Sequence, residues 1–196
     1  MVGTKLYIGK RNNLSILPLV TAFTDFKALT TPCNRFVFDN FTPDETAAIA
    51  QNIVESMYHH NGLGISGNQL GMPWRIFAMR GPESDYVCFN PIIVMPSTER
   101  VKMEEGCLSF PGIVLKVDRP RHIRMRFTDI HNETNTFVFA NLTARIVQHE
   151  MDHLDGKLFF EGAPRPTLER VVRQSKNRGF DYTSMGLMKY TKGISK

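Results

Sequence analysis

Long apolar runs are missing from this chain. None approaches the ~20 consecutive apolar residues that a membrane-crossing helix needs, and runs such as Ile92 to Met95 are closed on both sides by prolines, here Pro91 and Pro96. No membrane partner is expected. Cysteine is scarce too. Cys33, Cys88 and Cys107 are three, an odd number without framework spacing. That excludes a disulfide-stapled secreted domain, points to a reducing, cytoplasmic compartment and leaves at least one thiol free for chemistry. The opening stretch Met1 to Asn13 has cations but no apolar core followed by small residues, so no secretory signal is expected. Internal repeats and low-complexity tracts are absent as well.

What is present is enough for one sizeable core: 196 residues, 42% of them hydrophobic. The net charge of +5 is unevenly placed. Residues 165–196 hold eight cations (Arg165, Arg170, Arg173, Lys176, Arg178, Lys189, Lys192 and Lys196) against Glu169 and Asp181, so the remainder sums to −1. The pattern suits a catalytic domain over 1–164 followed by a basic helix and tail over 165–196. It does not suit a domain that reads nucleic-acid sequence.

Thr42-Pro43-Asp44-Glu45 combines a capping residue, a proline at the first helical position and a glutamate three after the cap. The spacing predicts a helix with Ile49, Ile53 and Met57 on its apolar side, stopped by Asn61-Gly62. From Trp74 to Phe139 short β-rich runs follow one another: Trp74–Met79, Tyr86–Met95, Gly112–Val117, Arg121–Thr128 and Thr134–Phe139. They read as antiparallel strands, the last two joined by a hairpin at Asn132-Glu133. Alternation of Arg124 and Arg126 with Met125 and Phe127 implies one wet face. A second helix is predicted from Leu142 to Leu154 with Gly156 just past its end, and a third from about Thr167 to Asn177.

The predicted second helix carries His149-Glu150-Met151-Asp152-His153, an HExxH motif. Its two imidazoles stand one turn apart on one face, where both can bind one metal, with Glu150 beside them to activate a water. A catalytic metal site needs a third protein ligand. The longer pattern ending in a third histidine fails because position 159 is Phe159, Glu161 is too close, and Glu169 falls in the basic tail. The search therefore turns upstream. Cys107, in Glu104-Glu105-Gly106-Cys107-Leu108-Ser109, is the strongest choice, with Gly106 allowing a sharp turn and close backbone approach. Cys88 lies in an apolar strand and reads as a buried structural thiol. His59, His60, His122 and His131 lack a paired ligand. A Gly-rich stretch, Gly62-Leu63-Gly64-Ile65-Ser66-Gly67-Asn68-Gln69, lacks the features of a phosphate loop. Its glycines would let a backbone approach an extended substrate, and Gln69 has an amide that can donate to a developing oxyanion.

In this order and at these separations, GLGISGNQ, EGCLS and QHEMDHLDG resemble the three signature motifs of the peptide deformylases. Leu70-Gly71 with Arg75, Asn90-Pro91, Phe110-Pro111-Gly112, Arg119-Pro120 and Ala144-Arg145 extend the likeness over about residues 29–162. The resemblance implies an α+β fold of antiparallel sheets around a central metal-binding helix. It implies one divalent metal on Cys107, His149 and His153, natively Fe2+, with Zn2+, Ni2+ or Co2+ as substitutes. Glu150 would be the base, Gln69 and the Leu108 backbone N–H the oxyanion donors, and N-formylmethionyl nascent peptides the substrate. Gly64 would face the bound peptide, with Leu63, Leu142 and Ile146 lining the methionine pocket. Glu105 would pair with Arg119 and brace the Cys107 loop. Basic C-terminal helices of some relatives engage the ribosome, a role open to Arg170, Arg173, Lys176 and Arg178. Many members carry two alanines where this chain has Ser66-Gly67. An HExxH peptidase would use the same metal and glutamate, yet a cysteine ligand upstream is foreign to it. A metal- or peptide-binding scaffold without turnover would not need Gln69, Cys107 and Glu150 together.

Overall fold

Each predicted helix begins or ends where its sequence signals place it, and the sheet is built between two of them. A computed structural model describes residues 16–191. The expectations for Met1 to Asn13 and for Lys192 and Lys196 lie outside the described residues. The order is α1 (Phe26–Thr30), α2 (Pro43–His59), β1 (Gly64–Ser66), β2 (Ile76–Met79), β3 (Tyr86–Pro96), β4 (Arg100–Cys107), β5 (Phe110–Pro120), β6 (His122–Thr128), β7 (Thr134–Ala140), α3 (Asn141–Leu154) and α4 (Arg165–Lys176). One antiparallel sheet runs β1-β2-β3-β6-β7, and β4 and β5 form a separate hairpin. This is the α+β class expected.

Helix α2 starts on a reciprocal capping box, the Thr42 hydroxyl accepting from the Glu45 N–H while Glu45 accepts from the Thr42 N–H. Its buried Ala50, Ile53, Val54 and Met57 pack on one face of the sheet against Ile76, Ala78, Val87 and Phe89. Side chains alternate across a strand, so Phe77, Met79 and Cys88 point the other way. There they meet Ala144, Ile146, Val147, Met151 and Leu154 of α3, together with Ile123, Met125 and Phe127 of β6. The sheet is thus clamped between α2 and α3. Beyond the clamp, Arg124 and Arg126 face solvent, as the alternation requires. Asn132 takes the left-handed conformation, φ 61°, in the β6–β7 turn.

A second core joins the β4–β5 hairpin to the C-terminal segment. Phe110, Ile113 and Leu115 pack against Leu168, Val171 and Val172 of α4 and against Phe159, Phe160, Tyr182 and Leu187. The outer side of α4, with Arg170, Arg173 and Lys176, is exposed. Strand β4 is absent from the strands read in the sequence: Arg100–Cys107 offers few β-formers, and its partner β5 supplies the pairing.

Candidate active site

Helix α3 is buried along most of its length although it is rich in polar residues. Arg145, Gln148, His149, Glu150 and His153 are all buried, a placement that normally calls for hydrogen-bond partners, though Glu150 Oε2 and His153 Nδ1 have none. Its final carbonyls are held by distant donors. Asn68 Nδ2 donates to the His153 carbonyl at 2.8 Å, the Cys33 N–H to Leu154 at 2.9 Å, and Arg75 Nη1 to Leu154 at 3.2 Å and to Asp155 Oδ1 at 2.8 Å. Gly156 then turns away with φ +68°, and a Cβ there would lie 2.9 Å from the Thr30 carbonyl oxygen.

The hairpin brings the third predicted ligand to this helix. A register shift between Gly106 and Cys107 interrupts the β4–β5 ladder, and such a bulge re-aims a side chain. Cys107 Sγ comes to 3.1 Å from His153 Nε2. One ligand atom from each of Cys107, His149 and His153 lies within 4.8 Å of the others. Gly106 itself stands in β4 with ordinary contacts around its Cα, so the reversal comes from the bulge and the Leu108-Ser109 turn instead.

Glu105, one residue from the bulge, anchors the arrangement. Its Oε1 accepts from Arg119 Nε and Arg145 Nη1, both at 2.7 Å, and its Oε2 accepts from Arg119 Nη2 at 2.9 Å and His149 Nδ1 at 3.1 Å. Arg119 also reaches Asp152 at 2.7 Å. Burial pushes the Glu105 carboxyl up, but these donors outweigh it and hold it at about 2. With His149 Nδ1 donating to Glu105, the opposite ring nitrogen is left for the cavity side. Burial lowers His149, yet Cys107 and Glu105 as acceptors lift it to about 10, so this spot attracts positive charge. Burial and the neighbouring His149 hold His153 well below its ordinary value, which keeps its nitrogen lone pair available. A sulfur and two imidazole nitrogens gathered within 4.8 Å fit a divalent cation.

Glu150 lies beside the three, its Oε2 buried with no hydrogen-bond partner. Burial pushes its carboxyl up to about 7, near where a general base works best. Gly64 is packed against it: a Cβ at that glycine would sit 2.7 Å from Glu150 Oε1 and 2.7 Å from Ile146 Cγ2. Gln69 is fixed at the other side. Its Oε1 accepts from the Ser66 N–H and hydroxyl, each at 3.0 Å, while its Nε2 donates to Ser109 Oγ at 3.0 Å and lies 3.7 Å from Cys107 Sγ.

A cavity of about 470 Å³ opens over these groups, lined by Leu63, Gly64, Gln69, Cys107, Leu108, Leu142, Ile146, His149 and Glu150 among others. Every site residue predicted from the sequence lines it except His153, which closes the site from below at 2% exposure. Leu63, Leu142 and Val114 stand out because they are large apolar side chains 50%, 49% and 44% exposed. Val114, Ser109 and the role of Arg145 were not singled out from the sequence. The apolar alternation along β5 was the available signal for Val114. Cys88 is fully buried in the sheet core, as read.

An HExxH helix closed by a hairpin cysteine at the floor of an apolar-rimmed cavity defines a hydrolase of the metal-site class. Known proteins agree and narrow the class. A family model described as polypeptide deformylase matches residues 18–168. A peptide deformylase of Synechocystis sp. is 32% identical over 168 residues, covering 83% of this chain and 87% of that relative. One from Fusobacterium nucleatum is 40% identical over 130 residues, covering 66% and 74%. Among solved structures, a peptide deformylase from Synechococcus elongatus in complex with actinonin superposes with TM-score 0.76 at 27% identity, covering 92% of this chain and 96% of that one. A class I type b peptide deformylase from Acinetobacter baumannii, solved with Met-Ala-Ser bound, gives TM-score 0.68 at 28% identity, covering 76% and 99%. The chain belongs to the peptide deformylase family. None of its described helices is long and apolar enough to cross a membrane.

Proposed function

We propose that the chain removes the N-formyl group from the N-terminal formylmethionine of newly synthesised proteins. The reading is carried by the convergence of Cys107, His149 and His153 within 4.8 Å, beside Glu150 and under a cavity with an apolar rim. These three residues would hold one divalent ion, Fe2+ natively by family resemblance, with Zn2+, Ni2+ or Co2+ as substitutes. Such an ion supplies Lewis acidity, acidifying a water and polarising the formyl carbonyl.

Glu150 takes the proton of the attacking water, whose oxygen bonds to the formyl carbon. The carbonyl oxygen gains charge, which Gln69 Nε2 and the Leu108 backbone N–H stabilise as hydrogen-bond donors. Breakage of the C–N bond then releases formate, and Glu150 returns its proton to the methionine nitrogen. Leu63, Leu142 and Ile146 take up the apolar methionine side chain, and Gly64 lets the peptide backbone approach. The product this leaves has the form of the Met-Ala-Ser bound in the Acinetobacter baumannii relative. Residues 1–164 form the catalytic domain, and the basic helix and tail over 165–196 present Arg170, Arg173, Lys176 and Arg178 to the ribosome, in the cytoplasm where nascent chains are made.

The test is formate release from formyl-Met-Ala-Ser by anaerobically prepared, iron-loaded protein. Glu150→Ala is expected to lower kcat by about 10²–10⁴ with the metal retained. Release that survives this change, or none from the loaded parent, rejects the reading.

A further inference from the structure

Ser66 is fully buried between two carboxamides. Its Oγ lies 2.9 Å from Asn68 Oδ1 and 3.0 Å from Gln69 Oε1. The partners settle which end of each amide is oxygen. Asn68 Nδ2 is committed to the His153 carbonyl at 2.8 Å, which turns Asn68 Oδ1 toward Ser66. Ser109 gives its hydroxyl proton to the Val20 carbonyl at 2.7 Å, so it can only accept from Gln69 Nε2. Gln69 Oε1 must then face Ser66, accepting from its N–H and sharing its single O–H proton with Asn68 Oδ1.

We propose that Ser66 is a positioning residue for the reaction: its hydroxyl completes a two-donor clamp on Gln69 Oε1 that keeps Nε2 turned toward Cys107 and the cavity. One Nε2 proton goes to Ser109, and the other, aimed at Cys107 Sγ 3.7 Å away, can pass to a developing oxyanion. Without the hydroxyl, Oε1 keeps only the backbone donor. The carboxamide can then rotate, and a flipped amide would set an oxygen against Ser109 Oγ and the Cys107 sulfur. The same hydroxyl ties the clamp to Asn68, and through it to the carbonyl of the helix turn that bears His153. The proposal rests on Gln69 being an oxyanion donor.

The experiment is a double-mutant cycle with formyl-Met-Ala-Ser and iron-loaded protein, paired with side-chain amide exchange in zinc-loaded, 15N-glutamine-labelled protein. Ser66→Ala is expected to lower kcat about tenfold, the worth of one lost hydrogen bond in a buried network, with KM within about twofold. In a Gln69→Ala background the same change is expected to cost nothing further in kcat. Exchange of the Gln69 side-chain protons is expected to speed up about tenfold in Ser66→Ala. Unchanged kcat, an equal loss with and without Gln69, or unchanged amide exchange would each overturn the proposal. Absence of formate release from the loaded parent rejects the functional reading instead, and the exchange measurement still reports on the clamp.

Discussion

At the scale of single residues the site is crowded by design of its packing, and the smallest residue in it is the most constrained. Gly64 has no room for a methyl group, because Glu150 Oε1 and Ile146 Cγ2 would each be 2.7 Å from it. The atom that can give way is the end of the Glu150 carboxylate. Gly64→Ala is therefore expected to lower kcat at least about tenfold through overpacking of about 1–3 kcal/mol, with the denaturation midpoint moving less than that strain implies. Glu105 has the opposite character, one carboxylate facing two guanidinium groups and an imidazole. Glu105→Gln leaves buried cations uncompensated, so urea unfolding should show a loss of about 3–5 kcal/mol. Metal affinity, followed by competition with a chelator, should fall about 10–100-fold. Exchanging the charges of Glu105 and Arg119 is not expected to restore what Glu105→Gln loses. It would place an arginine beside Arg145 and a glutamate beside Asp152.

At the scale of elements, α2 and α3 were legible because their signals are local: a cap, a proline and a 3.6-residue apolar period. Thr42→Ala removes the cap and is expected to cost about 1 kcal/mol, read from chemical denaturation. The Thr42 N–H and hydroxyl hold Glu45 below its ordinary value. A depressed acid stabilises the fold above its unfolded pKa, ~4.3, and that share is lost as pH falls through the folded value. The gap between parent and Thr42→Ala should accordingly narrow in acid. Strand β4 was illegible for a physical reason. Its alternation, Val101 and Met103 between Lys102, Arg100 and Glu104, leaves both faces partly wet, and only pairing with β5 holds it. The site divides the same way. Cys107, His149, Glu150 and His153 could be read from type and spacing. Arg145 and Ser109 make contacts that join separated parts of the chain, and nothing next to them in sequence announces those contacts.

At the scale of the whole molecule, Cys107 comes from the β4–β5 hairpin and His149 and His153 from α3, so an ion held by all three would cross-link the two. Zinc at about 100 times its Kd is expected to add about 2.7 kcal/mol to stability, seen as a rise in melting temperature that depends on zinc concentration. Cys107→Ser should lose most of that rise. The Tyr182 hydroxyl donates to the Pro111 carbonyl at 2.8 Å, and Phe180 lies where a Cβ on Gly112 would be, 2.9 Å away. The turn that carries Leu108 is therefore wedged in place by residues translated some seventy positions later. A ribosome that has reached only α3 has made all three metal ligands but not the wedge. The protein proposed to finish other nascent chains thus leaves its own Leu108 turn unsupported until Tyr182 has been synthesised.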